Sequence, residues 1–243
     1  MKTMKKIGAL ALGLVAFAPS AMAQDKVETT IAADVVSQYY WRGQDLGSIS
    51  LQPTLGIGYK GLSLTAWGSV GISEPSDTKE FDLTLAYEVG GFHIGVTDYW
   101  FNSPNEKYFN YKAHETSHVF EANIGYDFGP VALNWYTNFA GNDAVIDAET
   151  GAYDKDGRKY ASYVEATAPF KLGGCEWEAA VGAVPYKTGF YSDANGFAVT
   201  NVSLKATKDI KITDSFSVPV FAQVAANPSN EKAYFVVGFT LQP

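Results

Sequence analysis

Three histidines and a scattered set of carboxylates are the side chains through which this chain could do chemistry. Acyl transfer at a membrane surface needs a Ser hydroxyl within reach of a His, with a third group orienting that base. His114 and His118 have Ser117 and Glu115 beside them, but neighbours on a strand point to opposite faces. The nucleophile-elbow pattern G-x-S-x-G is absent. A shared metal on His114 and His118, with Glu115 or Glu121, would want a helix, and this region reads as a loop entering a strand. Asp154-Lys155-Asp156-Gly157 begins like a calcium loop, lacks the closing Glu, and reads as a turn. His93 reads as a solvated polar residue near a turn. No catalytic residue, cofactor or metal site is therefore expected.

The carboxylates carry a different implication. Glu28, Asp82, Glu88, Glu121, Asp127 and Glu178 fall on the polar side of alternating segments, and Lys205 is the clearest basic residue among them. On the inner wall of a tube, near its short-turn end, they would favour cations or neutral polar solutes and repel anions. The alternative is that they only solvate that end of the lumen. Only two arginines occur, Arg42 and Arg158, so a pore for acidic sugars is disfavoured.

The elements that must position them are strands. From Lys79 to Phe101, Phe81, Leu83, Leu85 and Tyr87 alternate with Asp82, Thr84, Ala86 and Glu88. After Gly90-Gly91 the alternation resumes with Phe92, Ile94 and Val96. A period of two with a two-residue Gly break is a tight hairpin. Each arm has about ten residues, enough for a tilted strand to cross a bilayer. Twelve such segments are read: 27–37, 49–59, 62–72, 79–89, 92–101, 117–128, 131–140, 159–170, 175–184, 197–207, 214–224 and 232–241. Segment 197–207 has the weakest pattern, so ten is the fallback count. Pro53 and Pro219 fall inside strands and suggest bulges.

Connections at 60–61, 90–91, 129–130 and 171–174 are short, whereas 38–48, 102–116, 141–158 and 185–196 are long. Sorting of loops by length is the pattern of an outer-membrane barrel, with short periplasmic turns and long extracellular loops. Tyr59, Tyr87, Phe92, Phe128, Phe170 and Trp177 lie next to short turns. Trp41, Trp100, Phe101, Phe139 and Tyr160 lie next to long loops. Two such rings suit the two membrane–water interfaces. Inward Trp67, Tyr136, Tyr163, Phe197, Phe221 and Tyr234 could fill much of the lumen.

Residues 1–23 read as a Sec-type signal peptide: Lys2, Lys5 and Lys6, an apolar run from Ile7 to Phe17, then Ala21-Met22-Ala23. Cleavage near Ala23 moves the formal charge from −8 to −11, which disfavours nucleic acid as a partner. The remainder, 24–243, reads as one domain. Lone Cys175 makes no intrachain disulfide.

Tyr39-Tyr40-Trp41-Arg42-Gly43, the strand Leu51-Gln52-Pro53-Thr54-Leu55-Gly56, and Trp67-Gly68-Ser69 together resemble the TorF-like porin family of small Gram-negative outer-membrane barrels. The resemblance covers residues 31–72. It implies a porin role and offers Arg42 as a candidate pore-mouth cation. The plainer role for Arg42 is to tie the first long loop to the barrel wall.

The expected fold is thus all-β, a single closed antiparallel transmembrane β-barrel. The expected function is a bacterial outer-membrane channel for passive diffusion of small polar solutes, with a cation preference. The alternatives are a structural or adhesion barrel with a plugged lumen and, third, a lipid-modifying enzyme. Outer-membrane lipid and small polar solutes are the expected partners.

Overall fold

The computed structural model describes residues 26–101, 107–112, 115–146 and 153–243. The leader segment and His114 lie outside the described residues. The strands are β1 (Glu28–Val36), β2 (Tyr39–Trp41), β3 (Gln44–Gly47), β4 (Ser50–Tyr59), β5 (Leu62–Gly71), β6 (Glu80–Val89), β7 (Phe92–Phe101) and β8 (His118–Asp127). They continue as β9 (Ala132–Gly141), β10 (Ala144–Ile146), β11 (Tyr153–Arg158), β12 (Ser162–Leu172), β13 (Cys175–Val184), β14 (Ala198–Lys211), β15 (Ser217–Asn227) and β16 (Lys232–Leu241).

Twelve of these close one antiparallel barrel, each paired to its neighbour in sequence. Closure comes from β1, which pairs with β4 on one side and with β16 on the other, Ala33 opposite Leu241 and Val36 opposite Gly238. No edge is left open, which is what a sheet in hydrocarbon requires, since lipid cannot satisfy an unpaired N–H or C=O. The two short pairs β2–β3 and β10–β11 stand outside the barrel order, in the long connections after β1 and after β9. Residues 154–157, expected as a turn, are strand in β11, where Arg158 pairs with Ala144 of β10.

The short turns are built from residues that accept a left-handed backbone. Lys60 and Gly61 have φ of 51° and 85°, Gly90 and Gly91 56° and 85°, and Gly173 and Gly174 63° and 76°. Two successive positive φ angles give the type I′ turn, whose twist matches the strands it joins. The connection 228–231 is also short, although it lies on the long-loop side. The prolines do not bulge. The β4–β5 register is the same before and after Pro53, and Pro219 lies just beyond the point where β15 stops pairing with β16. The register shifts of the barrel fall between Phe120 and Glu121 and between Gly182 and Ala183. β14 runs four residues further than the pattern suggested, to Lys211.

Burial follows the alternation. Leu62, Leu64, Leu85, Tyr87, Ile94, Val96, Ile124, Phe235, Val237 and Phe239 are exposed on the outside. Thr65, Asp82, Thr97, Glu121, Asn123, Val236 and Thr240 are buried inside. A large apolar exterior around a polar interior inverts the usual soluble pattern and marks a membrane-spanning wall. Tyr59, Tyr87, Phe128 and Phe170 are exposed near the short turns, and Phe139 and Tyr160 near the long loops. Trp41 and Phe101 do not join that ring. Trp41 is 7% exposed in a buried aromatic cluster within the barrel, and Phe101 packs against the same cluster. Phe197, expected inside, is 71% exposed.

The two ends are testable. With Cys175 replaced by Ala, Asp193→Cys in the 185–197 loop should react on intact cells with a membrane-impermeant maleimide. Asp214→Cys in the 212–216 turn should react only after the outer membrane is permeabilised. Reversed labelling would invert the barrel.

Candidate functional site

The lumen is crossed by the first long connection. After Val36 the chain folds inward as the β2–β3 hairpin, with Tyr39, Tyr40, Trp41 and Arg42 all buried. Its turn is Arg42-Gly43, with φ of 48° and 88°. Gly43 is required by contact as well as by conformation, because a Cβ there would run into the Thr200 carbonyl of β14. Thr200 is the extra residue at the Gly182/Ala183 register shift. Asn227 Nδ2 donates to the Gly43 carbonyl at 2.9 Å, which fastens the hairpin tip to β15.

At that tip Arg42 reaches across to β8. Its Nη1 donates to Glu121 Oε2 at 2.6 Å and its Nη2 to Oε1 at 3.3 Å. The guanidinium lies 3.6 Å from the Tyr136 ring centroid and 4.6 Å from that of Trp41. Glu121 also accepts from Tyr99 OH at 2.9 Å and from Tyr191 OH. Tyr191 comes from the 185–197 loop, so two long connections meet on one carboxylate. Burial, with the neighbouring Glu121 carboxylate, pushes the Tyr191 phenol well above its ordinary range, so it stays a donor. The register shift beside Glu121 is the kind of local irregularity that re-aims a side chain.

Beside this bridge the β4–β8 wall carries many polar inward positions, interrupted by Trp67, Tyr99 and Phe101 of the aromatic cluster. Inward positions carry Gln52 and Thr54 on β4, Thr65 and Ser69 on β5, Glu80 and Asp82 on β6, Thr97 on β7 and Asn123 on β8, all buried. Tyr39 OH donates to Glu80 Oε2 at 2.7 Å, Gln52 Nε2 to Ser69 Oγ at 3.3 Å, and the Thr84 and Thr97 hydroxyls lie 3.0 Å apart. Gln52 Oε1, Thr54 Oγ1, Asp82 Oδ1 and Asn123 Nδ2 have no hydrogen-bond partner in the protein. The opposite wall carries a side-chain network, although Asn138 Nδ2 and Thr200 Oγ1 there also have no protein partner. Tyr40 OH bonds Asn201 Oδ1 at 3.0 Å, Tyr163 OH bonds Glu165 Oε2 at 2.7 Å, and Asn201 Nδ2 bonds Tyr163 OH at 3.4 Å.

The expected lumen residues are spread over three levels. Glu88 and Glu178 lie inward in the short-turn half. Glu178 stands beside Lys205 and Lys205 beside Gln223 on adjacent strands, and the Lys205 ammonium sits 4.2 Å from the Phe221 ring centroid. Glu28 and Asp127 are exposed at the short-turn rim, where Asp127 Oδ1 accepts from the Gly129 N–H at 2.7 Å. Asp82 and Glu121 belong to the long-loop half rather than the short-turn half. Both strands enter the membrane from long-loop connections, so a residue near the strand start lies at that end. Arg42 lies inside the barrel, 7% exposed, rather than at a mouth, and it ties the first loop to the wall. Glu80 follows from the same alternation as Asp82 but was not singled out by sequence. Tyr191 has no sequence signal, because its loop has no period.

His118 is on the outer face, not in the lumen. Nδ1 lies 2.7 Å from Asp98 Oδ1, and Nε2 lies 2.6 Å from the Tyr108 carbonyl. Tyr111 stacks on the ring at 4.3 Å. Ser117 precedes β8, and among the described residues the ring nitrogens bond Asp98 and the Tyr108 carbonyl rather than a hydroxyl. The group latches the 107–112 segment over the wall.

No family model matches the chain, and no curated protein matches it. Among solved structures, OmpF of Salmonella typhi in complex with daunomycin is 11% identical, covering 90% of this chain and 98% of that one, with a TM-score of 0.36. CdiB from Acinetobacter baumannii is 12% identical over 91% of this chain and 60% of that one, TM-score 0.43. An outer-membrane channel from Pseudomonas putida F1 is 14% identical over 92% and 97%, TM-score 0.40. Values this low assign no family. The barrel stands on its own strand pairing, and the TorF-like resemblance on residues 31–72.

Proposed function

We propose that the protein is a porin-like channel of a bacterial outer membrane, delivered there after leader cleavage near Ala23, and that it passes small polar solutes with a preference for cations. The observation that supports this reading is the polar β4–β8 wall. A barrel meant only as a solid support would pack or pair its inner side chains, as the Tyr40–Asn201–Tyr163–Glu165 network does. The β4–β8 wall keeps four buried polar atoms without protein partners, against Asn138 Nδ2 and Thr200 Oγ1 on the opposite wall, a costly state unless water lines the wall. Its acids are Glu80, Asp82 and Glu88, and the nearby Arg42 charge is already matched by Glu121. The path proposed is therefore narrow, acidic, and bounded on one side by the β2–β3 hairpin. The plugged alternative rests on that same hairpin and its aromatic cluster.

Purified protein in a planar bilayer under a KCl gradient should show a reversal potential on the cation side. The preference should be strongest near 0.01 M salt, where the Debye length is about 30 Å. Replacing Glu80, Asp82 and Glu88 together by Gln, Asn and Gln should move that potential towards zero. Unchanged selectivity would remove these residues as the filter, and a wild type that never conducts would leave the plugged barrel.

A further inference from the structure

The outer wall is not uniformly covered. Across β9, β12, β13 and β14 the outward positions Val164, Ala166, Val181 and Ala183 are small or short, while Trp135 and Phe197 stand at the sides of the groove they leave. Ser162 pairs with Thr137 two residues closer to the long loops than the Val164–Trp135 pair, so these hydroxyls sit directly above the groove. They form a connected ledge on the outside. Trp135 Nε1 donates to Thr137 Oγ1 at 2.7 Å, and the Thr137 and Ser162 hydroxyls are 2.9 Å apart. Ser162 Oγ also lies 2.9 Å from Tyr186 OH, which donates to the Tyr160 carbonyl. Hydroxyl ledges and amphipathic rings facing outward belong at the level where hydrocarbon gives way to headgroups.

Two lysines flank that ledge. Lys159 precedes Tyr160 and exposed Lys187 follows Tyr186. The Lys159 ammonium reaches the 185–197 loop, 3.8 Å from where a Cβ on Gly189 would lie. Asp143, largely buried and accepting the Ala161 N–H at 3.4 Å, is the acidic group that faces Lys159.

We propose that this groove seats one phosphorylated, multiply acylated glycolipid of the outer leaflet, one acyl chain lying over Ala166 and Ala183 and a phosphate held by Lys159 and Lys187. Bilayer hydrocarbon admits only an apolar occupant to the groove, and Lys159 and Lys187, next in sequence to the ledge residues Tyr160 and Tyr186, favour an anionic headgroup. The assignment to the outer leaflet rests on the barrel orientation proposed above and not on conduction, so a barrel that never conducts leaves it intact.

Delipidated protein in detergent should be titrated with bisphosphorylated lipid A, with dephosphorylated lipid A and with phosphatidylglycerol, and read by native mass spectrometry. The expected result is a single bound bisphosphorylated lipid A, at least tenfold tighter than either of the others. Lys159→Gln with Lys187→Gln should reduce it to the dephosphorylated level. Ala166→Leu with Ala183→Leu, which fills the groove, should weaken binding while the barrel keeps its heat-modifiable gel mobility. Equal binding of the dephosphorylated lipid, equal binding of phosphatidylglycerol, or full binding by both variants would overturn the proposal. The cysteine labelling of the loops separately decides the orientation.

Discussion

Arg42→Met should cost the barrel about 3–5 kcal/mol, the range for removing one partner of a buried ion pair. Glu121 is 2% exposed, and without the guanidinium it keeps two phenol donors and no counter-charge. Stacking on Tyr136 is lost as well, a cation–π contact that contributes about 2 kcal/mol when desolvated. Methionine keeps most of the volume, so the loss is electrostatic rather than a cavity. The double variant Arg42→Met/Glu121→Leu should be more stable than Arg42→Met alone, because no unmatched charge is left inside. Urea unfolding in lipid vesicles measures both. Loosening of the hairpin tip should also make the single-channel current larger and noisier, since the Asn227, Tyr39 and Tyr40 hydrogen bonds would be left to hold the hairpin without its ion pair. Wild-type stability in Arg42→Met would mean the bridge does not hold the hairpin.

This bridge also shows how far the sequence could be read. Alternation places a side chain on the inner or outer face with little ambiguity, because a one-residue error would put Leu85 in water and Asp82 in lipid. The twelve strands, the tight turns at 60–61 and 90–91 and the inward set Asp82, Glu88, Glu121 and Glu178 were legible for that reason. The height of a residue in the membrane was less legible, since it depends on strand direction counted from the start of the barrel. Asp82 and Glu121 were therefore assigned to the wrong end. What the inward-folded loops do was not legible at all. Tyr39-Tyr40-Trp41 looks like the aromatic end of a strand, and nothing local distinguishes a ring at the interface from a ring driven into the lumen. The register shift at Glu121 and the meeting of Tyr191 with it are long-range packing outcomes, 70 residues apart, with no period to announce them. Pro53 and Pro219 mark the converse case, in which the local rule asked for a bulge and placement beside a gap in the ladder made one unnecessary.

Leu85→Arg should cost about 2–4 kcal/mol in a bilayer, whereas Thr84→Arg one residue away should cost much less. Leu85 is 53% exposed on the outer wall, paired with Leu64 on one side and Val96 on the other, near the middle of β6. Around it only hydrocarbon is available, and at mid-strand the guanidinium is too far from either headgroup region to snorkel fully. Thr84 faces the lumen, its hydroxyl 3.0 Å from that of Thr97. An arginine there loses that hydrogen bond but enters a wall lined by Thr65, Asp82 and Glu88, where its charge is welcome. The same pair of variants in detergent micelles should differ less, because a micelle deforms around a charge more readily than a bilayer does. Equal destabilisation of the two in a bilayer would contradict the facing of β6 and, with it, the membrane-spanning barrel.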